Sequence, residues 1–333
     1  MPSLEHDVDA LAGRTGFSGV VCVESGSGIE LSKAYGLADR AQGIPNTTET
    51  QFGLASGTKG LTALTVVSLI EDGLLDLSTT ARSALGADLP LIADDVTVEH
   101  LLAHRSGIGD YYDEDAGGEI TDYVLPIPVH RLETTAGYLP ALEGYPTVFP
   151  AGERFAYCNG GFVVLALIAE RAAGRPFHDL VRDRVCEPAG MNDTGFLRSD
   201  ELPGRAALGY LTNDGPRTNV LHLPVRGSGD GGIYSTAADI SLLWRAFLAG
   251  RIVSPAWVAE MTRPRSDAPG PGRRYGLGVW LHRSSDVVLL DGYDAGVSFM
   301  STHDPASATT RTVISNTSEG AWDMAELLNG EPA

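Results

Sequence analysis

Lysine is nearly absent from this chain of 333 residues: lysine and arginine together number 24, and only two of them are lysine. Arginine keeps its proton at any ordinary pH, so chemistry that needs an amine able to lose one falls to those two positions. Cysteine is scarce as well. Cys22, Cys158 and Cys186 are few and odd in number, which argues against a disulfide scaffold and fits a reducing compartment. Positive charge is in overall deficit, with a formal net charge of −19 and a pI near 4.7, so neither nucleic acid nor an anionic membrane is an expected partner. No apolar run reaches the length of about eighteen residues that a membrane span needs. Residues 1–9 hold neither a positive stretch nor an apolar core, so no secretory signal is read there and a cytoplasmic location is expected. No glycine-rich phosphate loop or dinucleotide fingerprint follows a strand, and no cofactor is expected. His100 and His104 stand at i and i+4, but no glutamate follows His100 as in zinc proteases; a structural role is expected for the pair, and no metal.

What is present begins with Lys59, three positions after a serine in Leu54-Ala55-Ser56-Gly57-Thr58-Lys59-Gly60-Leu61. Apolar Leu61, Leu64, Val67, Leu69 and Ile70, with Gly73 as a stop, predict a helix over 56–73. On a helix, i and i+3 share a face, so the amine reaches the hydroxyl. The positive end of the helix dipole favours an oxyanion at Ser56 and disfavours a second positive charge on Lys59. A serine is a weak nucleophile without such a base. The same residues also fit a plain N-cap and a solvated helix lysine.

A second element is Tyr157-Cys158-Asn159, ahead of an apolar helix-like run over 162–173 that closes with Gly174 and Pro176. Alternate side chains of such a loop can face one cleft. Tyr157 can then take or relay a proton, and the Asn159 amide can both donate and accept; a turn with Asn159 as a cap reads equally well. Cys158 reads as buried packing. A third element is Leu290-Asp291-Gly292-Tyr293-Asp294-Ala295-Gly296, flanked by strand-like runs at 275–282 and 310–315. It fits a strand at a cleft edge that presents a backbone N–H, or a glycine-containing edge strand or bulge.

The three elements together resemble the serine β-lactamase and penicillin-binding-protein superfamily, in particular its class C β-lactamase, esterase and D-alanyl-D-alanine carboxypeptidase branch. The resemblance runs from about Gly16 to about Ser318. It includes Leu101-Leu102-Ala103-His104-Arg105-Ser106-Gly107, similar to the family's Leu-Leu-x-His-x-Ser-Gly, and the glycine-rich stretch around Gly229-Asp230-Gly231-Gly232. It implies an α+β fold, with an antiparallel sheet of about five strands flanked by helices, a mainly helical lobe, and the site between the two. It also implies an acylated nucleophile at Ser56, a proton-accepting or shuttling partner at Lys59, a general base or relay at Tyr157, and an orienting amide at Asn159. By the same analogy the backbone N–H groups of Ser56 and Gly296 form the oxyanion hole, where each donor contributes about 3–4 kcal/mol to the transition state.

The third motif departs from the family's Lys-Thr-Gly or His-x-Gly, because the chain aligns Tyr293-Asp294-Ala295 there. A cation is lost at Tyr293 and a carboxylate gained at Asp294; both are read as substrate-binding residues, and Asp294 would repel a substrate carboxylate. The expected function is a serine esterase or amidase for small neutral or non-carboxylate substrates. An acyltransferase using the same acyl-enzyme, a β-lactamase or D-alanyl peptidase, and a non-catalytic ligand-binding module are the alternatives.

Organisation reads coarsely as a hairpin of 17–23 and 29–35 and a centre, 76–224, of helical segments divided by long loops such as 108–126. A helix starts near Thr236 with Asp239 completing a capping-box pattern, and a last helix spans 321–328. Motifs one and three must meet in one cleft. The expected division is therefore a discontinuous α/β domain of 1–75 and 225–333 around a helical insertion of 76–224. The oligomeric state is not legible.

Overall fold

The two ends of the chain build one sheet. α1 (Leu4–Thr15) starts on Ser3, whose hydroxyl accepts the His6 N–H, and ends at Gly16 in the left-handed conformation. β1 (Gly19–Ser25) and β2 (Gly28–Tyr35) form the expected hairpin. After a short 3₁₀ turn, Ala55–Gly57, comes α2 (Thr58–Glu71), and α3 (Asn159–Ala173) and α4 (Ala237–Leu248) follow in the middle of the chain. The remaining strands are β3 (Ser266–Asp267), β4 (Arg273–Tyr275), β5 (Trp280–His282), β6 (Val288–Asp294), β7 (Val297–Asp304) and β8 (Thr309–Ser315), and α5 (Trp322–Asn329) closes the chain. The computed structural model describes residues 3–112, 117–268 and 272–330; Met1 and Pro2 of the N-terminal segment, 113–116 of the long loop, 269–271 and 331–333 lie outside them.

The sheet is antiparallel, in the order β2-β1-β8-β7-β6-β5-β4-β3. Eight strands stand where about five were expected. The run 275–282 is two strands rather than one, because Gly276 and Gly278 turn the chain back and the Gly276 N–H closes on Val279 O at 2.9 Å. Strand alternation divides the core in two. Val20, Cys22, Phe299 and Ile314 face α2 and α4, while Val21, Val23, Met300 and Val313 face Val8 and Leu11 of α1 and Met324 and Leu328 of α5.

α2 is the central helix: every residue from Thr58 to Leu69 is buried. Its hydroxyls are satisfied by carbonyls, with Thr62 donating to Gly229 O at 2.7 Å and Thr65 to Leu61 O at 2.9 Å. The centre of the chain is less helical than expected. Apart from α3 and a continuous helical run over 177–189 with a π turn at 182–186, its helices are single turns or little more, and 191–233 carries only isolated bridges. At α4, Thr236 caps the Asp239 N–H, but the Asp239 carboxylate accepts from Asp193 N and Thr194 Oγ1 instead of closing the box. The short helix Val98–Leu102 ends before His104, so the two histidines do not share a helix face; His100 Nδ1 instead accepts the Thr97 N–H.

Candidate active site

Ser56 sits in the 3₁₀ turn that feeds α2, directly after Ala55, whose φ of +44° lies in the left-handed region. A side chain in that conformation costs of order 1–2 kcal/mol, and it is held where the chain must turn sharply to aim Ser56 at the cleft. One turn on, Lys59 is buried, and its Nζ donates to Ser56 Oγ, Asn159 Oδ1 and the Asp230 carbonyl, each at 2.8 Å. Motifs one and two and the glycine-rich stretch thus converge on a single nitrogen. The Lys59 ammonium lies 4.9 Å from the centre of the Tyr157 ring, a cation over an aromatic face. Tyr157 itself is stacked parallel to Trp280 with ring centres 6.1 Å apart, and Trp280 Nε1 donates to Asp291 of β6 at 2.7 Å.

Asn159 is the first residue of α3, not its cap. Cys158 is the cap, its Sγ accepting the Gly161 N–H at 3.3 Å. The N-terminus of α3 is closed from outside by Asp110, which accepts the N–H groups of Asn159 at 2.5 Å and Gly160 at 2.8 Å. This carboxyl, invisible in the sequence within a long loop, is buried. Burial pushes its pKa up to about 6, against the pull of the Gly160, Asn159 and Tyr112 N–H groups. Below about pH 4 both states are protonated, and between 4 and 6 the folded protein keeps a proton that the unfolded chain has lost. Stability therefore falls as pH rises through that window. Urea denaturation at pH 4.5 and 7.5 is expected to show this decline in the wild type, by about 2 kcal/mol, and to show a flatter response in Asp110→Asn.

Asp230 was read only as part of a glycine-rich stretch, yet it contributes twice. Its carbonyl holds Lys59, and its buried carboxylate accepts the Tyr111 hydroxyl. Desolvation raises the pKa of Asp230, with the nearby Lys59 charge opposing it.

The third motif lies where expected but in a different register. β5 pairs β6 only at Val288 and Leu289, so 290–294 run on as an edge beside the Ala55–Gly57 turn. A Cβ at Gly292 would stand 2.1 Å from Leu54 O and 2.8 Å from Ser56 N, which only glycine permits. The triplet that ends on the glycine against Ser56 is thus Leu290-Asp291-Gly292, three residues before the alignment expected. It carries no cation either, and Asp291 is engaged by Arg273 and Trp280. Gly296 is displaced from the assigned role. It occupies the β6–β7 turn at φ +71°, and its N–H donates to Ser318 Oγ at 2.8 Å in a buried contact.

Ser56 opens into a solvent-connected cleft. Asn159, Asp230, Tyr293 and Asp294 share its wall with Ser56, together with Tyr111, Tyr112, Leu125 and Val297; neither Lys59, Tyr157 nor Gly296 is on it. The Tyr293 hydroxyl turns away to Glu319 Oε1 at 2.6 Å. The lining residues include two carboxylates, Asp230 and Asp294, and no lysine or arginine.

Comparison with known proteins agrees with this geometry. Residues 4–328 match the Beta-lactamase family. The crystal structure of a penicillin-binding protein from Bacillus halodurans superposes with a TM-score of 0.91 at 34% identity, covering 97% of this chain and 99% of that one. Among curated proteins, the putative penicillin-binding protein PbpX of Bacillus subtilis is 25% identical over 92% of this chain and 72% of its own length. Esterase EstB of Burkholderia gladioli is 30% identical over 79% of this chain and 73% of its own. Among the described residues no helix is long and apolar enough to cross a membrane. With a family match over nearly its whole length and the β-lactamase/transpeptidase-like fold of that family, the chain belongs to the Beta-lactamase family, a family of serine hydrolases.

Proposed function

We propose that the chain is an esterase or amidase that works through a Ser56 acyl-enzyme on small substrates lacking a carboxylate near the scissile bond. One observation carries the substrate reading: the residues lining the cleft present Asp230 and Asp294 and no lysine or arginine. A substrate carboxylate there meets the Asp294 carboxylate, and among the lining residues only the His222 imidazole could offer it a charge-assisted donor. Lys59 in its neutral form takes the Ser56 proton as Oγ attacks the carbonyl carbon. The oxyanion is received by the Ser56 N–H and, across the Gly292 contact, by the N–H of the following Tyr293. Tyr157 relays the proton to the leaving oxygen or nitrogen, Asn159 orients the acyl side, and water releases the acyl group. Transfer to another nucleophile would use the same intermediate. The lobes proposed for this work are 1–75 with 225–333 and the insertion 76–224. A cytoplasmic setting fits three cysteines that are free and buried.

Intact-protein mass spectrometry tests the reading. Exposure to p-nitrophenyl acetate is expected to add one acetyl group at Ser56 and none in Ser56→Ala, while benzylpenicillin leaves the protein unlabelled and is not consumed. Full esterase activity in Ser56→Ala would refute the acyl-enzyme. Benzylpenicillin turnover as fast as ester turnover would refute the substrate class.

A further inference from the structure

The residue that organises the second motif is not in it. His104 is buried, and its φ of +52° places it among the few non-glycine residues in the left-handed region. Such a conformation costs energy for a ring-bearing residue and persists where the surroundings demand it. Here the demand comes from three consecutive residues of the Tyr157 loop. The His104 carbonyl accepts the Ala156 N–H at 2.9 Å. The imidazole lies against the Tyr157 ring, with centres 4.3 Å apart and planes inclined by 32°. Nδ1 accepts the Cys158 N–H at 3.0 Å. The strap continues along both segments, since Arg105 O accepts the Gly152 N–H and Gly107 O the Val148 N–H, each at 2.8 Å.

We propose that His104 is a positioning residue for Tyr157: its carbonyl, ring face and Nδ1 hold residues 156, 157 and 158 in turn, fixing where the tyrosine hydroxyl meets the reaction. The imidazole is the side chain this task requires. A phenyl ring fills the space but offers the Cys158 N–H no acceptor, and a buried N–H without one costs about 1–3 kcal/mol. Accepting at Nδ1 puts the ring proton on Nε2, which has no hydrogen-bond partner among the described residues and is enclosed by Tyr157, Phe162 and Tyr275. Burial, and then the charge of Lys59, hold the imidazole pKa well below its usual 6.5, so the acceptor lone pair is kept. Trp280 backs the other side of the tyrosine in parallel. Tyr157 is thus fixed from two sides, and only the His104 side also grips its backbone neighbours.

This inference rests on Tyr157 acting as the relay in a Ser56 acyl-enzyme, and the test separates the two. The rate of Ser56 acetylation by phenyl acetate, whose leaving oxygen is far more basic than p-nitrophenolate and so draws on the relayed proton, is measured with thermal unfolding for His104→Leu, His104→Asn and His104→Gln, each with Tyr157 intact and as Tyr157→Phe. His104→Leu is expected to slow acetylation by about 10- to 100-fold, as a displaced catalytic group does. Asparagine tolerates the left-handed conformation and places Oδ1 where Nδ1 stands, so His104→Asn restores most of the rate; glutamine does not. In the Tyr157→Phe background His104→Leu costs no further rate, although it lowers the unfolding temperature as much as before, because the kinetic effect passes through the tyrosine. A folded His104→Leu that acetylates like wild type, or one that loses as much rate in both backgrounds, overturns the proposal. Should His104→Leu not fold, equal rates for His104→Asn and His104→Gln overturn it. If Tyr157→Phe alone acetylates at the wild-type rate, the relay assigned to Tyr157 fails first.

Discussion

Replacing Lys59 by methionine is expected to lower the rate of Ser56 acylation by about 10³-fold, in the middle of the range for loss of a positioned general base. Arginine is expected to do no better. It keeps a positive charge near Ser56, but it cannot take the serine proton, and its planar fork does not fit a site where three acceptors converge on one atom at 2.8 Å. The two variants separate electrostatic stabilisation from proton transfer: a Lys59→Arg enzyme with more than a tenth of the wild-type rate would show that charge alone suffices. Both are destabilised, since methionine leaves Asn159 Oδ1 and Asp230 O buried without their donor, at about 1–3 kcal/mol each. Rates must therefore be taken per folded molecule, with thermal unfolding measured in parallel.

The second large effect is expected at Gly292. An alanine Cβ there would stand 2.1 Å from Leu54 O and 2.8 Å from Ser56 N, and neither is the far end of a flexible side chain. The strand and the 3₁₀ turn must part by about an ångström, which costs about 1–3 kcal/mol as overpacking and about 10²-fold in acylation as misplacement. Gly296→Ala is the control. Its Cβ would meet Tyr210 N at 2.8 Å at φ +71°, so stability falls, while the acylation rate per folded molecule stays near wild type. The reverse outcome, activity lost at 296 and kept at 292, would restore the oxyanion hole to Gly296.

The contrast between these glycines shows where sequence reasoning reached and where it stopped. That Ser56 and Lys59 meet was legible because helix periodicity fixes i and i+3 on one face, whereas the place of Asn159 beside them was implied only by the family resemblance, its local pattern fitting a cap equally well. The register of the third motif was not. Two glycines four residues apart offer the same local signal, and only the pairing of β6 with β5 and β7 decides which one faces Ser56. The three short edge strands were hidden for a similar reason: 275–282 alternates well enough for one strand, and its two glycines set the turn only once the rest of the sheet is in place. Asp110 and Asp230 lie in segments with no periodicity, and their roles come from long-range contacts to Asn159 and Lys59. His104 was legible as structural, but what it supports lies more than fifty residues away.

The three acceptors around Lys59 also impose a count of protons. An ammonium has three N–H bonds and satisfies all three. A neutral amine has two and a lone pair. Asn159 Oδ1 and Asp230 O can only accept, so in the neutral state they claim both remaining hydrogens. The lone pair is left for Ser56, whose hydroxyl alone can turn round and donate. In the proposed mechanism two fixed carbonyl oxygens would thus aim an electron pair at Ser56, and the direction of proton transfer would be set by groups that never exchange a proton themselves.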